Sequence, residues 1–332
     1  MKKSYLVILL FSLITLNSCN QNKYYYVQGL AQGTTYHITY EGTKDYSSEI
    51  TDILRRFDMS LSAYIDNSLL SRLNNNDSTA IPDKWFTDVF NKSKEIYQVS
   101  DGMFDITVGP LVKAWGFLKD TTVHVDSASI KKMLTIVGMD KVRIVNGKLV
   151  KDNPNIVIDV NAIAQGYSVD VVGDFLEKNN VRNYLVEIGG ELKVKGVNPK
   201  NEPWRVGIDK PVEGNQVEGA NLQTILNVTN KAIATSGNYR AFHIENGIKY
   251  AHSINPKTGY PTKNNLLSAS IIADDCITAD GYATACMVSG LQKSMDILKK
   301  VKGLDAYFVY SDSAGHYKVF MTDNVKKMIS KN

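Results

Sequence analysis

Asp280 and Thr284 stand four residues apart in the stretch Thr278-Ala279-Asp280-Gly281-Tyr282-Ala283-Thr284, which reads as the start of a helix. At that spacing a carboxylate and a hydroxyl share one helix face. Two hard oxygen donors near a helix N-terminus suit a divalent cation carrying a phosphate-bearing ligand. The same residue types also cap and solvate ordinary helices, so spacing alone leaves both readings open. His252 precedes a rigid turn, Asn255-Pro256-Lys257-Thr258-Gly259-Tyr260-Pro261, whose prolines fix φ and whose glycine permits φ > 0. Four further clusters could face the same ligand. Gly33–Tyr36 is a small, polar strand entrance, and Leu61–Tyr64 supplies an aromatic able to stack on a flat ring. Ser100–Pro110 packs turn residues and Asp105 into a loop. In Ile158–Tyr167 a strand ends at Asp159 and a helix follows shortly, a corner that can hold an anion or offer carbonyls to a cation.

Composition narrows the classes. With 332 residues, 43% hydrophobic and 22% charged, the chain is globular. The formal charge of +4 includes Lys2 and Lys3, and no basic stripe interleaved with aromatics occurs, so nucleic acid is not an expected partner. A Walker A loop, a strand-linked G-x-G-x-x-G and a G-x-S-x-G elbow are all absent, although Ser236-Gly237 superficially suggests the last. His37, His124, His243, His252 and His316 are scattered and never paired at i, i+4, which leaves zinc unsupported. Oxygen ligands and Mg²⁺ fit better.

The N-terminus carries an address. Lys2-Lys3, the apolar run Tyr5 to Leu16 and then Asn17-Ser18-Cys19 have the form of an export signal. Leu16-Asn17-Ser18-Cys19 resembles a bacterial lipoprotein box, which implies cleavage before Cys19 and acylation, with palmitate among the chains. The expected division is a signal peptide over 1–18, a lipidated tether over 19–27 and one folded unit, with room for two lobes, over 28–332. The expected location is the bacterial cell envelope, anchored to a membrane and facing the periplasm or exterior. Cys276 and Cys286 need not approach within bonding range and are expected as free buried thiols.

These groups must be positioned by elements read from periodicity. Strands are expected at Gly33–Tyr40, Ile156–Val160, Tyr184–Ile188, Trp204–Ile208, Thr224–Val228, Ala232–Thr235, Leu266–Ala273, Ala306–Val309 and Tyr317–Met321. Helices are expected at Ser48–Met59, Ser68–Leu73, Asp83–Val99, Ser127–Val137, Ala162–Asn179, Gln292–Val301 and Asp323–Ile329, besides the one opening near Thr278. Asn146-Gly147, between Val142–Val145 and Lys148–Lys151, predicts a hairpin, as does Asn246-Gly247 between Ala241–Glu245 and Ile248–His252. Strands and hairpins mix with helices without strict alternation. The fold class is therefore α+β, with mixed, mainly antiparallel sheets and packed helices.

Taken in order, the clusters resemble the ApbE family of flavin transferases. The matching segments are A-Q-G-T-T-Y at 31–36, L-S-A-Y at 61–64, S-D-G-M-F-D-I-T-V-G-P-L-V-K-A-W-G-F at 100–117 and I-D-V-N-A-I-A-Q-G-Y at 158–167. They continue with E-I-G-G at 187–190, A-T-S-G-N-Y-R at 234–240, H-S-I-N-P-K-T-G-Y-P at 252–261 and A-D-G-Y-A-T at 279–284. The resemblance implies an ApbE-like, T-fold-related architecture and a lipoprotein enzyme. It implies Mg²⁺-dependent transfer of FMN from FAD to a Thr or Ser hydroxyl of a partner protein, with release of AMP. Family partners include subunits of sodium-pumping NADH:quinone reductase and Rnf-type complexes.

By the same resemblance Asp280 and Thr284 match metal side-chain ligands, and Ala162 a position that lends its backbone carbonyl. Gln32, Tyr64, Met103, Phe104, Asp105, Asp159 and Gln165 match FAD-contacting positions. Ser236, Gly237 and Arg240 fall in the 234–240 segment and count with them, as do His252 and Ile254 beside the pyrophosphate. Gln32 stands where the family usually has Met, Gln165 where Lys or Glu is common, and Gly281 in place of a frequent Ala. Asp280 and His252 are the expected catalytic residues, His252 as acceptor of the hydroxyl proton because imidazole titrates near neutrality. Two alternatives use the same residues: hydrolysis of FAD to FMN and AMP, and a non-enzymatic FAD-binding lipoprotein.

Overall fold

The structure is a computed structural model that describes residues 22–117, 126–211, 221–238, 242–245, 248–251 and 253–330. Runs of aromatic and β-branched residues build a hairpin of β1 (Lys23–Ala31) and β2 (Thr34–Gly42), then α1 (Ser47–Leu61), α2 (Leu69–Asn74) and α3 (Lys84–Val99) follow. Next come α4 (Gly109–Ala114), α5 (Ser127–Leu134), β3 (Val142–Val145), β4 (Lys148–Lys151) and α6 (Ala164–Lys178). β5 (Tyr184–Ile188), β6 (Glu191–Lys195), β7 (Trp204–Asp209), β8 (Leu222–Val228) and β9 (Lys231–Gly237) lead to the hairpin of β10 (Phe242–Glu245) and β11 (Ile248–Ala251). The chain closes with β12 (Leu266–Ala273), α7 (Cys276–Ser289), α8 (Leu291–Lys300), β13 (Asp305–Ser311), β14 (Tyr317–Met321) and α9 (Asp323–Met328).

One eight-stranded antiparallel sheet, in the order β1-β2-β5-β6-β9-β12-β13-β14, organises these elements. Strands distant in sequence meet at its centre, where β9 pairs with both β6 and β12. β3–β4, β7–β8 and β10–β11 are separate hairpins. Helix α7 is buried along nearly its whole length, Cys276, Ala279, Tyr282, Ala283 and Cys286 among its inward residues. A helix apolar on every side belongs in the middle of a core. Its alanines and glycine keep it slim enough to lie against the sheet on one side and α6 and α3 on the other. Cys276 and Cys286 are both buried and free, as expected.

Several expectations are corrected. β1 begins at Lys23, inside the span read as a tether to residue 27, because Tyr24-Tyr25-Tyr26-Val27 pairs along β2. Residues 156–160 form no strand, since their polar groups find partners outside any ladder. The Ser100–Pro110 stretch is not all loop: it ends in a 3₁₀ turn at Ile106–Val108 and enters α4, with Pro110 in the first turn. β6 was not foreseen. α7 opens two residues before Thr278, at Cys276, because the Asp275 side chain accepts the Thr278 amide at 2.9 Å.

Candidate functional site

Asp280 is the buried centre of the site. It is 5% exposed, and its Oδ2 accepts the backbone amide of Gly166 at 2.9 Å. That bond requires glycine: a Cβ on residue 166 would stand 2.5 Å from the Cys276 carbonyl oxygen and 2.6 Å from Asp280 Cβ. Helices α6 and α7 thus touch through backbone where the carboxylate sits. Burial pushes the Asp280 carboxyl up to about 7, opposed only by the Gly166 amide. One turn on, Thr284 Oγ1 lies 3.2 Å from Ser236 Oγ at the end of β9. Sequence spacing alone put the Asp280 and Thr284 oxygens on one face, and both line a cavity of about 490 Å³.

The other walls come from segments far apart in sequence. Ala162 lies in the turn before α6 and lines the same cavity. Asp159, 7% exposed, is held through its backbone: its amide donates to the Ile106 carbonyl at 2.7 Å. Burial raises its carboxyl, although Oδ1 accepts the Asn161 amide at 2.9 Å. Asp105 takes the Thr107 amide at 2.7 Å and the Thr107 hydroxyl at 2.6 Å, and burial still lifts its carboxyl to about 6. Met103 and Phe104, with Ile106, Val108, Val112 and Phe117, give an apolar wall suited to a flat ring. Ile254, Pro256 and Ser253 close the cavity from the Asn255–Pro261 turn. That turn is anchored by Trp115 Nε1, which donates to the Gly259 carbonyl at 2.8 Å.

A second cavity, of about 570 Å³, adjoins the first and shares Tyr64, Asn161 and Gln165 with it. Tyr64 is 52% exposed, and its hydroxyl accepts from Asn161 Nδ2 at 3.3 Å. Gln32 lines only this second cavity. It stands in the two-residue turn between β1 and β2, with φ of 54° at Gln32 and 74° at Gly33.

The sequence-derived set therefore divides in three. Tyr64, Met103, Phe104, Asp105, Asp159, Ala162, Gln165, Ser236, Gly237, Ile254, Asp280 and Thr284 converge on the first cavity. Gln32 stands in its neighbour. His252, Arg240 and Cys19 lie outside the described residues. Sequence reasoning missed Glu191, Asn161 and Thr235, which also line the first cavity. Glu191 had a signal: it follows E-I-G-G, whose glycines turn with φ of 62° and 100° and aim the next residue inward.

The donor set fits a hard cation brought in with phosphate. Among the described residues no group of three or more His, Cys, Asp or Glu could hold a metal alone. One buried carboxylate with a free oxygen, a hydroxyl and a peptide carbonyl leave positions for ligand phosphate oxygens, the usual arrangement for Mg²⁺.

Comparison with known proteins identifies the family. Residues 32–308 match the model of the ApbE family. The chain is 34% identical over 336 aligned positions to the FAD:protein FMN transferase of Vibrio cholerae, covering 95% of this chain and 98% of that one. It is 33% identical to the enzyme of that name from Haemophilus influenzae, over 91% of each chain. Among solved structures, the flavin transferase ApbE from Vibrio cholerae superposes with a TM-score of 0.82 at 32% identity, covering 92% of this chain and 99% of that one. The apo form of the Pseudomonas stutzeri flavinyl transferase ApbE gives 0.81 at 29% identity, covering 94% and 98%.

Proposed function

Because this chain belongs to the ApbE family, we infer that it takes FAD into the paired cavities and transfers FMN to a hydroxyl of an acceptor protein. The observation that carries the reading is Asp280: a buried carboxylate with one oxygen spent on Gly166 and Thr284 a turn away in the same cavity. Charge of that kind is kept where a cation repays its burial.

Asp280, Thr284 and the Ala162 carbonyl would hold Mg²⁺ in this reading. When bound, Mg²⁺ offsets the charge that develops on the phosphoryl oxygens. Ser236 Oγ and Thr284 Oγ1 lie 3.2 Å apart and either hydroxyl can donate; with Thr284 as donor, its oxygen lone pairs would be left for the metal. The apolar wall with Met103 and Phe104 and the exposed ring of Tyr64 orient the flat ends of the dinucleotide. The acceptor oxygen forms a bond to the phosphorus of the FMN half, the bond to the AMP oxygen breaks, and AMP leaves. His252 takes the hydroxyl proton; its neighbours Ser253 and Ile254 line the cavity. Incubating the protein with FAD, Mg²⁺ and a candidate acceptor, followed by intact-mass measurement, tests this: covalent FMN on the acceptor supports it. Free FMN and AMP with an unmodified acceptor would assign hydrolysis instead.

The acceptors we assign are flavoprotein subunits of sodium-pumping NADH:quinone reductase or Rnf-type complexes. The protein works in the cell envelope on a lipid anchor at Cys19, a reading supported by the export-signal pattern of residues 2–19. A Cys19→Ala protein that stays in the membrane fraction would refute the anchor.

A further inference from the structure

Helix α6 grips α7 at two points one turn apart. At the first, the Gly166 amide donates to Asp280 at 2.9 Å. At the second, Asp170 Oδ2 accepts the amide of Ile277, in the first turn of α7, at 2.8 Å. The other Asp170 oxygen lies 3.0 Å from the ammonium of Lys193, which reaches across from β6. Lys193 also faces Asp174, at 4.0 Å. Asp170 is 5% exposed, and neither it nor Lys193 lines either cavity.

Such a pair is an expensive way to fill a core. Desolvating two charges offsets most of their attraction, and an apolar pair of equal volume would stabilise as well. Nor does α7 need Asp170 in order to start, because Asp275 already caps the Thr278 amide. What Asp170 adds is register, since it ties the first turn of α7 and strand β6 to one point on α6. Register matters here because the helices meet through backbone at Gly166, where no side chain can absorb a shift. A small slide of α7 would break the Gly166–Asp280 bond and rotate the carboxylate.

We propose that Asp170 is the positioning residue of the metal site, holding α7 against α6 so that Asp280 keeps one oxygen on Gly166 and presents the other to the cation. The proposal rests on the metal reading above and extends it to a residue that touches neither metal nor substrate. Mn²⁺ alone, titrated into the protein and followed by its paramagnetic resonance signal, measures the site without turnover. Asp170→Asn is expected to weaken Mn²⁺ binding about 10–100-fold, the range for outer-shell partners of metal ligands. It should also raise the Mg²⁺ concentration for half-maximal transfer while leaving kcat at saturating Mg²⁺ within about threefold. Asp174→Asn removes a carboxylate from the same helix without the clamp and should bind Mn²⁺ as the parent does. The pair Asp170→Asn with Lys193→Gln, whose amides can bond each other, should recover most of the lost affinity. If Asp170→Asn does not fold, Lys193→Gln is read by the same criteria. Mn²⁺ affinity within about twofold of the parent, or an equal loss in Asp174→Asn, overturns the proposal. Asp280→Ala separates the two ideas: unchanged Mn²⁺ binding there sinks the metal reading itself.

Discussion

Asn74 and Ile158 lie 84 residues apart yet pair like neighbours in a sheet. Ile158 donates its amide to Asn74 Oδ1 at 2.8 Å and accepts Asn74 Nδ2 at 2.9 Å. The last residue of α2 thereby holds the segment that places Asp159 in the cavity wall. Asn74→Ala would leave two backbone groups of the fully buried Ile158 unpaired, at about 1–3 kcal/mol each. The expected outcome is a fall in Tm and a higher KM for FAD. A Tm equal to the parent's would show that this bridge is dispensable.

Asp280→Asn should separate stability from activity. Above about pH 7 it removes a buried charge that has one hydrogen bond and no cation beside it among the described residues, so there the metal-free protein should unfold at a higher temperature. Transfer should fall by at least about 100-fold, since in the proposed function this charge holds the metal. Thr284→Ser, which keeps the hydroxyl, should stay active where Thr284→Val does not. Transfer assays and melting curves on the three variants decide it.

Gly166→Ala should damage the same carboxylate from outside the cavity. Its Cβ would meet the Cys276 carbonyl at 2.5 Å, forcing α6 and α7 apart. Overpacking of that kind costs about 1–3 kcal/mol, and loss of the amide bond to Asp280 should weaken Mg²⁺ affinity as well as stability. Chemical denaturation and Mg²⁺ titration together would detect both effects; intact Mg²⁺ affinity would refute the link.

Asp105 gives the protein an acid-side signature. Burial lifts its carboxyl to about 6 in the folded chain, above its value of 3.8 when unfolded. The folded state therefore binds the proton more tightly, and the stability this confers is complete below about pH 4 and lost as pH rises through about 6. In Asp105→Asn that decline should flatten, the amide oxygen still accepting from Thr107. Melting temperatures of parent and variant measured from pH 4 to pH 7 test this; parallel curves would contradict it.

What the chain reveals without its fold is what short-range geometry dictates. Asp280 and Thr284 must share a face once their stretch is helical, because four residues make nearly one turn. Asn146-Gly147 must turn between its two strands, and both residues take positive φ there, 49° and 75°. Asp83 caps α3 where its position implies, accepting the Phe86 amide at 2.8 Å. Motif order also anticipated which loops would meet, with Glu191 the chief omission.

The tertiary structure decided the rest, because those facts depend on partners that no local window contains. Ile156–Val160 has the composition of a strand, yet its hydrogen bonds go to a side chain on α2 and to Ile106, so no ladder forms. Tyr24–Val27 joins the sheet because β2 lies alongside it. Asp280 is an ordinary carboxylate in the sequence. It becomes a buried carboxyl pushed up to about 7 only when the core closes over it, against the opposing pull of the amide of Gly166, 114 residues away. Spacing along one element is rigid and readable, whereas burial and register arise from the whole core closing at once.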